Sequence, residues 1–301
     1  MPETVACALC QSPGVPDVPK TRLLNLHAPY EICRCPRCGL LFLNPRPTVD
    51  EMEVMYTTDP YYAADNATRG ATRSRFYHDR MDRLERHRPE RGRMLGVGCL
   101  EGGYALDVAR ARGWEVLGVE FSPILADHAR SALGIDVRVA RAWDLSGLRG
   151  ERFDAIASQS LEHVPDAGLT LDQCAELLTP EGLLLLEVPN QFRALVDVLK
   201  MAVIRAGGAY EWFHRSLTFE FHTLYFTPRT IRRLLEQHGL EVLALRTYLP
   251  AHPLYVGRGP KQWIQRPAHA IGGLVGRGPC IEVIAGRAGA RSGLRATAAR
   301  G

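Results

Sequence analysis

The apolar residues of this chain follow two rhythms. From Met94 onward, short apolar runs near 94–97, 115–119, 136–140, 153–158 and 182–188 alternate with segments of helical spacing. Strand-length runs separated by helices predict a parallel, doubly wound α/β sheet. Further on, "TPRTIRRLLEQHG" predicts a helix with Thr227 as cap, Pro228 in the first position and Gly239 as terminator. "LEVLALRTYL" and "CIEVIAG" predict two final strands, separated by an excursion rich in Gly, Pro and Arg. Upstream, Phe76, Tyr77, Met81 and Leu84 recur at helical spacing within residues 73–88, which predicts an amphipathic helix packed on the sheet. Before it, "LLFLNPRPTVDEMEVMYTTDPYYAAD" reads as a short strand, a Pro-bounded turn and a small helix.

Composition narrows the picture. At 301 residues and 46% hydrophobic content, the chain can bury one α/β core and a small appendage. No run approaches the roughly 20 apolar residues that span a bilayer, and Met1–Gln11 has no secretory pattern, so the expectation is a soluble cytoplasmic protein. The net charge of +4 is matched by Arg287, Arg291, Arg295 and Arg300, which follow Gly286 with no acidic residue among them. With the rest of the chain balanced, composition argues against nucleic acid as a partner, and 287–301 is expected to be a disordered basic tail.

Eight cysteines change the picture again. Cys7 and Cys10 in "CALC", and Cys35 and Cys38 in "CPRC", form two CxxC pairs with 24 residues between them, and Gly39 supplies a knuckle turn. Four thiolates so spaced suit tetrahedral, structural Zn2+, with no position left open for water or substrate. Cys33 is a competing ligand, but knuckle geometry favours Cys35 with Cys38; Cys33, Cys99, Cys174 and Cys280 read as small buried hydrophobes.

The loop in "RMLGVGCLEGGYAL" departs from the dinucleotide pattern, because its third glycine position falls on Glu101. A carboxylate there repels a pyrophosphate, so a ligand without phosphate suits the loop better. Glu120, closing the next strand in "VLGVEFSP", is placed to accept both hydroxyls of a ribose.

With "FDAIASQSLEHVPD", "LLTPEGLLLLEVPN" and "HTLYFTPRTIRRLLEQHGLEVL", these segments resemble successive motifs of the class I S-adenosylmethionine-dependent methyltransferases. "CALC" and "CRCPRCGLLFLNPRP" resemble the zinc ribbon that precedes the methyltransferase domain in some of them, sugar C-methyltransferases included. The resemblance implies a Rossmann-like seven-stranded sheet after a small zinc ribbon, with S-adenosyl-L-methionine as cofactor. It places Gly98, Cys99 and Gly102 against the amino-acid part of the cofactor, Glu120 on the ribose, Phe121 beside the adenine, Ala142 and Trp143 lining the adenine pocket, and Gln159 under the methionine. The family pattern has an acid where Gly96 stands, a glycine where Leu100 stands and often an acid where Arg141 stands; Asp144 is a candidate substitute for the last.

The expected organisation is a ribbon over 1–50, a helical linker over 51–92 and a methyltransferase domain over 93–286, with an acceptor lid near 190–226. His163, in "LEHVPD" just after the fourth strand, is the first candidate for a base; His222 and Tyr225 in "HTLYFT" are the alternative pair, and His214 a weaker third. The function expected is O-, C- or N-methylation of a small molecule, with sugar and secondary-metabolite acceptors both fitting. A scaffold that has lost catalysis and a nucleic-acid-methylating module stay open as rival classes, separable by cofactor turnover and by salt-dependent affinity for RNA or DNA. Oligomeric state is not legible.

Overall fold

The structure, a computed structural model, describes residues 2–17, 30–58, 74–98, 103–205, 222–250 and 262–289. Its elements run β1 (Val15–Pro16), β2 (Ile32–Arg34), β3 (Leu41–Leu43), α1 (Val49–Thr58), α2 (Ser74–His87), β4 (Arg93–Val97), α3 (Tyr104–Ala111), β5 (Glu115–Glu120), α4 (Pro123–Leu133), β6 (Val137–Val139), β7 (Phe153–Ser158), α5 (Ala167–Leu177), β8 (Leu178–Pro189), α6 (Leu195–Arg205), β9 (Leu224–Tyr225), α7 (Pro228–Gln237), β10 (Leu240–Tyr248), α8 (Gln262–Leu274) and β11 (Cys280–Arg287).

Seven strands form one sheet in the order β10-β11-β8-β7-β4-β5-β6. The five from β6 to β8 are parallel, and β11 is antiparallel to both β8 and β10. The chain winds outward from β4 to β6, then returns to β7 on the other side of β4. A crevice therefore opens at the carboxyl ends of β4 and β7, where open α/β sheets take their ligands. Leu183–Leu186 of β8 are all buried, as a strand covered on both faces requires. Met81 and Leu84 of α2 pack with Ala155, Leu183, Leu185 and Ile284 on one face, while Leu171 of α5 and Ile231 and Leu234 of α7 belong to the core of the other.

The N-terminal segment builds a second, antiparallel sheet, β1-β2-β3-β9, whose last strand comes from far along the sequence. Leu41 faces Tyr225 and Phe42 faces Leu224. The core is shared as well, since Cys7, Leu9, Leu40 and Phe42 join the same apolar cluster as Leu171 and Leu234.

The helix at 228–237 has Thr227 as N-cap in a reciprocal capping box with Thr230, and Gly239 follows it at φ +70°. One element was not anticipated: α8 lies within the Gly- and Pro-rich excursion and packs against α6 and β10. Its turn back toward β11 depends on glycine, because a Cβ on Gly272 would lie 2.5 Å from the Arg277 carbonyl oxygen. Residues 206–221 of the expected lid, His214 among them, and the tail from 290 lie outside the described residues. Among the described residues no helix is long and apolar enough to cross a membrane.

Candidate active site

The cofactor candidates cluster along the carboxyl edge of β4, β5 and β7. Gly98 closes β4 at φ +70°, its N–H donating to the Val119 carbonyl at 2.9 Å; a Cβ there would sit 3.3 Å from the Ser160 side chain. Cys99 and Gly102 lie outside the described residues, and Gly103 resumes the chain as the cap of α3 at φ +91°. Gly96, where the family pattern has an acid, faces Leu106, whose methyls would lie 3.0 Å from a Cβ.

Glu120 ends β5 with 7% of its surface exposed, and its Oε1 accepts the Ser122 N–H at 2.9 Å. The N-cap residue of α4 thus aims the carboxylate. Phe121 and Trp143 bring their rings to 5.6 Å, and Ala142 beside Trp143 is buried. Arg141 is paired with Glu53 of α1 at 2.8 Å, whereas Asp144 is taken up by the backbone and hydroxyl of Ser146. Gln159 follows β7 and donates its amide to Glu187 at 2.8 Å.

Past Gln159, the turn 160–164 meets the segment that becomes β9. The amides of Thr223 and Leu224 both donate to the Glu162 carbonyl, at 2.8 and 3.2 Å, and the Thr223 hydroxyl reaches the carbonyls of Glu162 and Val164. On its far side, the Thr223 carbonyl accepts the Leu43 N–H of β3 at 3.0 Å. This clamp brings together His163 and His222, whose rings lie 4.6 Å apart edge to face. Their Nε2 atoms stand 3.7 and 3.8 Å from Glu162 Oε1, and Tyr225 lies behind His222 at 6.4 Å between rings.

Their environments differ. The His163 side chain is 23% exposed and that of His222 only 6%. His222 Nδ1 lies 2.6 Å from Gln191 Oε1, so Nδ1 carries the proton and Nε2 the lone pair. Burial, with His163 alongside, holds His222 well below the ordinary imidazole range, so it is neutral at neutral pH. Burial pushes Glu162 well above the usual carboxylate range, and the nearby Glu187 adds to this; Glu162 Oε2 has no hydrogen-bond partner. The three groups hold ligand atoms within 4.8 Å of one another, a donor set that could also take a divalent cation. Sequence reasoning missed Glu162, Gln191 and Phe192. None of the three carries a local sequence signal; in the structure Phe192 has a positive φ of 62°, and its ring packs on Tyr225 at 5.2 Å.

The cysteine pairs meet beside the turn that joins β2 to β3. Cys7 and Cys38 Sγ are 3.4 Å apart, Cys10 and Cys35 Sγ 3.2 Å, and all four lie within 4.8 Å of one another. Gly39, at φ +79°, donates its N–H to the Cys35 carbonyl as the knuckle turn requires. Cys33 points elsewhere, toward the Asn44 carbonyl, and Cys33, Cys174 and Cys280 are buried.

A parallel sheet with a β10–β11 antiparallel edge and a ligand crevice beside Gly98 defines a Rossmann-like methyltransferase fold. The chain matches the family model of a methyltransferase domain over residues 69–245, more than half its length, and belongs to that family. It is 38% identical over 120 residues to a ubiquinone biosynthesis O-methyltransferase of Xylella fastidiosa (strain 9a5c), covering 37% of this chain and 48% of that protein. To the protein of the same name from Chelativorans sp. (strain BNC1) it is 32% identical over 168 residues, covering 54% and 63%. The chain thus spans about half to two thirds of these relatives' length. Among solved structures, a methyltransferase in complex with the Haloferax volcanii Trm112 activator superposes with a TM-score of 0.52 at 17% identity, covering 75% of this chain and 96% of that one. Burkholderia thailandensis 1,6-didemethyltoxoflavin-N1-methyltransferase, solved with S-adenosylhomocysteine, gives 0.52 at 15% identity, covering 84% and 97%.

Proposed function

We propose that this chain transfers the methyl group of S-adenosylmethionine to a hydroxyl of a small-molecule acceptor, with His163 taking the hydroxyl proton. The observation that carries the reading is the cluster of His163, His222 and Glu162 at the edge of the crevice, one partly exposed imidazole backed by a buried neutral one and a buried carboxyl. The relatives named as O-methyltransferases support a hydroxyl acceptor.

The cofactor, when bound, supplies a methyl group already activated by the sulfonium, so the protein's tasks are alignment and proton removal. Glu120 would hold the ribose, Phe121, Ala142 and Trp143 the adenine, and Gly98, Cys99, Gly102 and Gln159 the amino-acid end. As the acceptor oxygen bonds to the methyl carbon, its proton passes to His163. His222, fixed by Gln191, stays neutral beside His163 and does not compete for the proton, and Tyr225 closes the wall behind it. Four thiolates within tetrahedral reach of one another support one structural Zn2+ on Cys7, Cys10, Cys35 and Cys38.

His163→Asn tests the assignment. Turnover should fall roughly 100- to 10,000-fold while affinity for S-adenosylhomocysteine changes less than about twofold, because a base acts on the transition state. A nearly active variant would transfer the role to His222 and Tyr225.

A further inference from the structure

Helix α8 turns an apolar stripe outward. Trp263, Pro267, Ala270, Ile271 and Leu274 recur at spacings of three and four and are all exposed, whereas His269 and Gly272 face the body of the protein. Leu274 and Trp263, 88% and 79% exposed, are the two most exposed large hydrophobic side chains among the described residues. Val275, just past the end of the helix, and Leu199 of α6, on which α8 packs, are exposed too. Apolar side chains grouped in this way mark a binding surface.

The charge around the stripe has one sign. No Asp or Glu occurs from 242 to 281, a stretch that holds Arg246, Arg258, Lys261, Arg266 and Arg277. Arg266 borders the stripe and Arg277 follows it; both are exposed, and neither makes an ion pair among the described residues. The acids of the adjoining elements are turned away. Asp197 of α6 is nearly buried beside Lys200, and Glu282 of β11 is buried between Arg83 and Arg246. Glu241 stands at the opposite end of β10.

These features select the occupant. A second copy of the chain meeting the stripe symmetrically would bring both sets of arginines onto one interface with no acid to answer them. Trp263 and Leu274 stand proud of the surface, the form that enters a lipid layer, and an anionic bilayer supplies negative charge all along the rim. The helix also packs at the end of β10, where a Cβ on Gly273 would lie 3.6 Å from the Tyr248 Cα. Because β10, β8 and β7 run the same way, that end is the edge of the sheet on which the crevice opens. We propose that α8 seats the protein on an anionic membrane surface, its apolar stripe among the acyl chains and Arg266 and Arg277 on the lipid phosphates. The crevice edge of the sheet then lies toward the bilayer.

Co-sedimentation of the full chain with vesicles tests this, using phosphatidylcholine alone and phosphatidylcholine mixed equally with phosphatidylglycerol. The parent should bind the mixed vesicles at least about tenfold more tightly, and added salt should erase the preference. Leu274→Ser and Trp263→Ser should each weaken that binding roughly tenfold or more. Val15→Ser, at an exposed apolar position on β1, should leave it unchanged. Arg266→Glu together with Arg277→Glu should abolish the preference for anionic vesicles. Failure of the parent to bind the mixed vesicles, equal binding to both kinds, or equal losses in Val15→Ser and Leu274→Ser overturns the proposal. So does self-association of the parent in sedimentation velocity that Leu274→Ser abolishes, since a second copy would then cover the stripe.

Discussion

Glu120 carries the most specific demand of any single residue in the crevice. It is nearly buried, and the Ser122 N–H already fixes one of its oxygens. If it holds the ribose diol, Glu120→Ala should cost about 2–4 kcal/mol of S-adenosylhomocysteine binding, roughly 30- to 1,000-fold, measured by calorimetry. Equal affinity in variant and parent would place the ribose elsewhere. Glu162 makes a different prediction, about pH. Its folded-state pKa is raised by burial, so above about 4.5 the folded chain keeps a proton that the unfolded chain has lost. Its contribution to stability is therefore full at acid pH and declines as pH rises toward the folded value. Glu162→Gln imitates the protonated form, so urea unfolding should show the variant gaining on the parent as pH rises above about 4.5. A difference that does not change with pH sinks the idea. These residues also mark how far the sequence can be read. Gly98, Glu120 and the four cysteines announce themselves through short-range spacing. Glu162 and Gln191 do not, because what makes them notable is a neighbour far away in sequence, as with Gln191 and His222, 31 positions apart.

At the scale of elements, periodicity served where one face of a helix or strand is buried, and it failed for α8, whose glycines and proline disguise a helix stabilised by α6 and β10. It also could not show that the short strand β9 belongs to the ribbon's sheet, since the two residues of β9 carry no pattern of their own. Yet β9 is the element that orders the acceptor side. Thr223 ties it to β3 through one carbonyl and to the 162–164 turn through its amide and hydroxyl. Thr223→Val keeps the branched shape and the backbone bonds and removes only the hydroxyl. Turnover should drop about 3- to 30-fold, from the loss of roughly 1–2 kcal/mol of positioning, with cofactor affinity within about twofold. Parallel losses in turnover and cofactor binding would point to general destabilisation and against a positioning role.

For the whole molecule, the question is why a thiolate cluster should accompany a methyltransferase crevice. Cys35 and Cys38 lie between β2 and β3 of the sheet β1-β2-β3-β9, whose last strand carries Tyr225, and the cysteines pack in one apolar core with Leu224 and Phe226 on either side of Tyr225. A metal that closes the ribbon therefore also fixes the strand beside His222 and Tyr225, whereas Gly98, Glu120 and Gln159 hang on the seven-stranded sheet. This division predicts unequal consequences of metal loss. The native protein should contain one zinc per chain by metal analysis. Stripping it with a chelator, or replacing Cys35 with Ser, should unfold the ribbon strands and cut turnover by about tenfold or more, while S-adenosylhomocysteine still binds within about threefold of the parent. Hydrogen exchange supplies the structural check, because the Leu43 amide, bonded across to Thr223, should lose protection while the β4 and β7 amides keep theirs. Absence of stoichiometric zinc removes the metal from the account. Full turnover in a zinc-free chain would instead show that β9 holds its place through apolar packing alone, with the ribbon merely attached to a site that does not need it.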